Sequence, residues 1–320
     1  MLLEALTLSA GHNAAVVVLG TAAFGLAAGA VGAFALLRGR VLIADAAAHA
    51  ALPGVVGAFL VALLFGWNPR GSPVLLAGAA LAAAGGVLAI QALATGGRLK
   101  DDAAMAVVLS VGFGLGMVLL SVVQRLPIGG QAGLKGFILG QAAGMLAGDA
   151  VAAGALALCA LLLLGLLYRP LALLCFDADF AATLGLPVRG LDLALHALTL
   201  AVVVVGLGAV GALMVVGLMV IPAATARLVS SRLAPMIVLS ALFAAASAWV
   251  GAALSAARAG LPTGATIVLV ASALFAAALL FAPRRGLVAA ALRRAERWKK
   301  TKTPGGVAEP PAGGSERSRR

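Results

Sequence analysis

Residues 14–37, AAVVVLGTAAFGLAAGAVGAFALL, run without a charge until Arg38-Gly39-Arg40 closes them. At ~1.5 Å per residue the run makes about 36 Å of helix, enough to cross a hydrocarbon core of ~30 Å. Its apolar residues are continuous and do not alternate with period two, so it reads as a membrane helix and not as a barrel strand. Its glycines and alanines suit close approach of neighbouring helices.

The same reading extends along the chain. Residues 41–66 follow with one charge, Asp45, and 67–73 read as a turn. Uncharged residues 73–95, a polar loop at 96–102, and spans at 103–123 and 150–168 come next. Residues 193–226 are 34 positions without a charge, about 51 Å of helix and too long for one crossing. The glycines at 206, 208 and 211 predict a break into two short crossings. Spans at 234–255 and 264–282 complete an all-α polytopic bundle of nine spans, or eight if one short piece is re-entrant.

Composition agrees. The 320 residues are 63% hydrophobic and 11% charged, whereas a soluble domain is nearer half and a quarter. Soluble globular, disordered and fibrous classes are excluded. The net charge of +12 is concentrated: residues 284–320 hold eleven Lys/Arg against three Asp/Glu. Residues 1–283 read as the membrane domain and 284–320 as a disordered basic tail, suited to anionic headgroups. No aromatic interleaving supports a nucleic-acid partner. Cys159 and Cys175 are read as packing residues. Glu4, with no Lys or Arg before Arg38, argues against a signal peptide.

Loop charges set the orientation. With the tail cytoplasmic and nine crossings, the N-terminus lies outside. The inside loops then carry Arg38, Arg40, Arg98, Lys100, Arg169, Arg189, Arg227 and Arg232, and the outside loops Arg70, Arg125, Lys135 and Arg258.

Two connections are too long to be turns. Residues 124–149, with Gly140, Gly144 and Gly148, predict a short helix tucked against the bundle. In residues 169–192, Asp177 can cap a short helix that Gly185-Leu186-Pro187 ends, with Ala178, Ala181 and Ala182 on one face. A helix lying on lipid would carry Lys/Arg on its polar face. This one is acidic, which points to a protein partner.

Within the spans, Asp45 stands out, because a centred acid costs roughly 2.5–3.5 kcal/mol on insertion scales. Asp45-Ala-Ala-Ala-His49 places two side chains on one helix face, about 40° apart. Three readings fit the pair: a packing hydrogen bond, a proton relay, and a site for a borderline divalent cation. Pro53 frees a carbonyl near residue 49, as expected for a helix break that lines a path, and Pro222 is similar in kind. His196 is a possible third ligand or a core histidine, and His12 a solvated end residue. Met214 and Met219 read as core or pore lining. Asp101, Asp102 and Asp149 sit at helix N-termini, where the dipole favours them.

The segment Asp45-Ala-Ala-Ala-His49-Ala-Ala-Leu-Pro53-Gly54 resembles the D-x-x-x-H-x-x-x-P-G motif of ABC-transporter permeases for manganese, zinc and iron. Lys100-Asp101-Asp102, Phe137-Ile138-Leu139-Gly140, Phe176–Gly185, Ile221-Pro222-Ala-Ala-Thr-Ala-Arg227 and Pro262-Thr-Gly-Ala-Thr-Ile267 resemble further motifs of that family, in family order. The resemblance implies the fold of the vitamin-B12-type (type II) importers and a homodimer around one pore in the bacterial cytoplasmic membrane. It implies a separate cytoplasmic ATPase, an extracytoplasmic metal-binding protein, and Asp45 and His49 as ion ligands. Residues 177–185, including Asp177, Ala181 and Gly185, would couple to the ATPase. The family often has Gln or Lys where this chain has Gly208, and His196 is the residue that would compensate. No Gly-x-x-x-x-Gly-Lys-Ser/Thr occurs, so the chain is expected to be a transport subunit without enzymatic residues or a cofactor, the metal being its cargo. A proton-coupled secondary transporter and a permease for a metal chelate or siderophore are the alternatives.

Overall fold

The computed structural model describes residues 11–67, 72–94, 99–125, 142–258 and 261–282, with Glu4, Thr7, Gly286 and Val288. Eleven α-helices follow in these residues: α1 (His12–Leu37), α2 (Leu42–Leu64), α3 (Ser72–Ala94), α4 (Asp101–Arg125), α5 (Ala147–Leu166), α6 (Tyr168–Phe176), α7 (Ala178–Thr183), α8 (Val188–Ala209), α9 (Ala212–Val229), α10 (Leu233–Ala257) and α11 (Thr263–Phe281). All but α6 and α7 are long and apolar enough to cross a membrane, which makes nine candidate spans among the described residues. Most of the 67–73 turn, the Phe137–Gly140 motif and nearly all of the basic tail lie outside the described residues.

The uncharged stretch at 193–226 divides as its length requires. Helix α8 stops at Ala209, Gly211 takes φ +87°, a region open to glycine, and α9 starts at Ala212. Pro53 and Pro222 depart from expectation, since α2 and α9 run through them without ending. Each proline removes one intrahelical donor, and packing against neighbouring helices keeps the helix continuous. Most of the 124–149 connection, for which a short tucked helix is expected, lies outside the described residues; its described end carries a 3₁₀ turn, Ala142–Gly144, packed against α1 and α11. Asp149 lies inside the first turn of α5, where its carboxylate accepts a hydrogen bond from the Leu146 amide at 3.0 Å.

Helix α1 is the hub, packed against α5, α8, α9 and α10. Gly25 and Gly29 let the backbone of α10 approach, and Ser240 donates a 2.6 Å hydrogen bond from α10 to the Gly29 carbonyl. A second group, α2, α3 and α4, is joined to the first through α8 and α9. Gly112 of α4 meets α2 at Ala50, where a Cβ would stand 2.8 Å from the Ala50 Cα. That backbone cannot yield as a flexible side chain would. Gly112→Val is therefore expected to lose roughly 1–3 kcal/mol, read as a lower thermal midpoint of the detergent-solubilised chain; an unchanged midpoint would contradict this packing.

Candidate functional site

Asp45 and His49 lie on the first turns of α2, with His49 Nε2 3.4 Å from Asp45 Oδ1. Their side chains are 31% and 28% exposed, so the pair is reachable although the alanines around it are buried. The ring of Phe113 on α4 meets the imidazole edge-on, with centroids 5.3 Å apart. This contact orients His49, and Gly112 beside it brings α4 close enough to make it. His49 Nδ1 is buried and has no hydrogen-bond partner among the described residues.

The 3.4 Å spacing is longer than the usual N–H···O bond of 2.7–3.2 Å. It matches the distance between two ligands held about 2.1 Å from one ion at a tetrahedral angle, which is about 3.4 Å. The pair has the chemistry and the bite of two ligands to a borderline divalent ion. No group of three or more His, Cys, Asp or Glu that could hold a metal occurs among the described residues. One chain thus offers two protein ligands at this point.

His196 is placed elsewhere. It is buried on α8, with Nε2 3.5 Å from Arg40 Nη1, and lines a cavity of about 680 Å³ with Arg40, Asp101, Arg189 and Asp192. Asp192 and His196 repeat the four-residue spacing of Asp45 and His49, but their surroundings differ. Arg38 Nε donates to Asp192 Oδ1 at 3.1 Å, and Nη2 donates to both carboxylate oxygens at 2.9 Å. Arg38 Nη1 also donates to the Leu174 carbonyl at 3.1 Å. Arg40 lies 3.8 Å from Asp101 and 3.9 Å from Asp192. The second Asp–His pair is therefore neutralised from within the chain, whereas no Lys or Arg ion pair to Asp45 occurs among the described residues.

The Arg38 fork joins the end of α1 to α6 and α8. The sequence reading missed Asp192, and its spacing from His196 is the signal that was there. Asp192→Asn leaves the Arg38 guanidinium, 16% exposed, without its counter-charge. It is expected to cost roughly 3 kcal/mol, checked by the thermal midpoint and by the fraction of chain extracted as a monodisperse species. Wild-type values for both would remove the structural role.

Asp177 caps α7 as expected, accepting from the Phe180 amide at 2.9 Å, and Gly185 ends the segment with φ +78°. The small-residue face is divided: Ala181 is fully buried in the chain and Ala182 is exposed. The outward apolar residues are Phe176, Phe180 and Leu184, at 73%, 50% and 59% exposure. Burial pushes the Cys175 thiol up to about 11, so it stays protonated at neutral pH, in keeping with a packing residue. Met214, Met219 and Pro222 are buried in the core of the chain.

The model of the ABC 3 transport family matches residues 12–282. The chain is 39% identical over 291 residues to the manganese transport system membrane protein MntC of Bacillus subtilis, covering 91% of this chain and 66% of that relative's length. It is 38% identical over 278 residues to the zinc transport system membrane protein TroC of Treponema pallidum, covering 87% of this chain and 92% of the relative. Its structure is similar to a chain of PsaBC from Streptococcus pneumoniae, solved in complex with Fab, with TM-score 0.75, 26% identity and coverage of 95% and 100%. The chain belongs to the ABC 3 transport family.

Proposed function

We propose that this member of the ABC 3 transport family is the membrane-spanning permease subunit of an ATP-driven importer of manganese, zinc or iron as the divalent ion. The observation that carries the reading is the Asp45–His49 pair: about a third exposed, inside a candidate membrane span, unpaired with Arg or Lys among the described residues, and spaced as two ligands of one ion. The names of the relatives, which speak of manganese and zinc transport systems, support the cargo class.

Two ligands do not complete a coordination sphere, because such ions take four to six. A homodimer in which the two α2 helices approach a two-fold axis supplies four. The remaining positions would be filled by water as the ion moves. An ATPase subunit would dock on the α6–α7 face and an extracytoplasmic binding protein on the opposite end, with the N-terminus outside and the basic tail in the cytoplasm of a bacterium. A bare ion fits this small pair better than a chelate does, because a chelator already fills the ion's ligand positions. Uptake of radioactive manganese and zinc by proteoliposomes holding the chain with its ATPase and binding protein tests the reading. Uptake that does not depend on ATP would overturn it.

A further inference from the structure

A second feature opens on a different face of the bundle from Asp45. A groove of about 350 Å³ runs between α5 and α10 over a floor of Ala30 and Phe34 on α1. Leu161 and Gly165 form one wall, and Ile237 and Val238 the other. Helix α2 packs chiefly on α3, α4, α8 and α9, so these walls are not part of the Asp45 neighbourhood. From Leu161 to Tyr168 the groove extends about 10 Å at ~1.5 Å per residue, within one leaflet of about 15 Å. A spanning helix of another subunit would need a seat along most of the ~30 Å core. An acyl chain needs one leaflet.

The end of the groove at Tyr168 has headgroup chemistry beside it. Tyr168 lines it where α5 gives way to α6, and tyrosine favours the membrane–water boundary. Arg169 follows it directly, and Arg232 precedes α10, two residues before the lining residue Ala234. Both arginines are exposed, and neither has an ion-pair partner among the described residues.

We infer that this groove binds a phospholipid with an anionic headgroup, one acyl chain lying between α5 and α10 and the phosphate at Arg169 and Arg232. The apolar walls have no other solvent than lipid in the bilayer, and the two guanidinium groups select for negative charge at the rim. The inference needs neither the cargo nor the orientation proposed above.

The test titrates the chain, purified in mild detergent, with dioleoylphosphatidylglycerol or dioleoylphosphatidylcholine and counts bound lipid by native mass spectrometry. One phosphatidylglycerol per chain is expected, preferred about tenfold over phosphatidylcholine. The double variant Arg169→Ala, Arg232→Ala should bring the two lipids to parity. Gly165→Phe should remove retention of both, since a Cβ at Gly165 meets nothing within 4 Å and its side chain enters open space. Val238→Trp fills the groove from the other wall and should act alike. Equal retention of the two lipids by the unaltered chain, or unchanged retention in both filling variants, would overturn the proposal. So would a dimer that Gly165→Phe splits, because the groove would then be a contact between copies.

Discussion

Asp45→Asn is expected to lower metal uptake by the reconstituted transporter at least about 100-fold while leaving the chain folded and assembled. Even residues that only support a metal ligand cost about 10–100-fold when changed, and Asp45 is proposed to touch the ion. The substitution keeps the shape of the side chain and its hydrogen-bonding capacity. It removes the negative charge that offsets the cation's lost hydration. Asp45 is 31% exposed and makes no Lys or Arg ion pair among the described residues, so its loss should leave the thermal midpoint near the unaltered value. His49→Ala should reduce uptake similarly or broaden metal selection, although it also removes the edge contact with Phe113. A ligating imidazole must be neutral, so uptake should weaken on acidification, the proton competing with the ion. Uptake at the unaltered rate by Asp45→Asn would return the pair to a packing role.

The spans could be read from the sequence because charges punctuate them. An uncharged run of 34 residues cannot be one crossing, and the break falls at Gly211, one of the glycines named for it. The Asp45–His49 pair was legible for a similar reason: an acid amid alanines has few neutral explanations, and four residues bring a histidine to the same face. What decides the fate of the second pair was not legible. Arg38 and Asp192 are 154 residues apart, and both lie in charged flanks that read as loop ends. Only the packing of α1 against α8 brings them together. The prolines misled for the opposite reason. A local rule says that they end helices, and the neighbours of α2 and α9 hold them continuous.

The orientation of α7 was the least legible element, and it decides how the proposed contact with an ATPase subunit is tested. A six-residue helix gives too few turns to define a face from its pattern, and Asp177, in extended conformation, resets the phase between α6 and α7. Ala181, expected on the partner side, is buried within the chain, so Ala181→Trp would displace α7 before any partner was met. Phe176, Phe180 and Leu184 point outward instead. Beyond the end of the bundle, such an apolar cluster next to exposed acids marks an interaction surface rather than a lipid contact. Phe180→Glu puts a charge into the middle of that surface while leaving the Asp177 cap, which uses the Phe180 backbone amide, intact. Loss of one buried aromatic anchor costs about 2 kcal/mol or more, near 30-fold in affinity. The variant should therefore insert and fold normally, co-purify poorly with the ATPase subunit, and leave ATP hydrolysis in the residual complex without its response to the metal-loaded binding protein. Retention of the ATPase at the unaltered level, with hydrolysis still coupled, would move the docking surface away from α7.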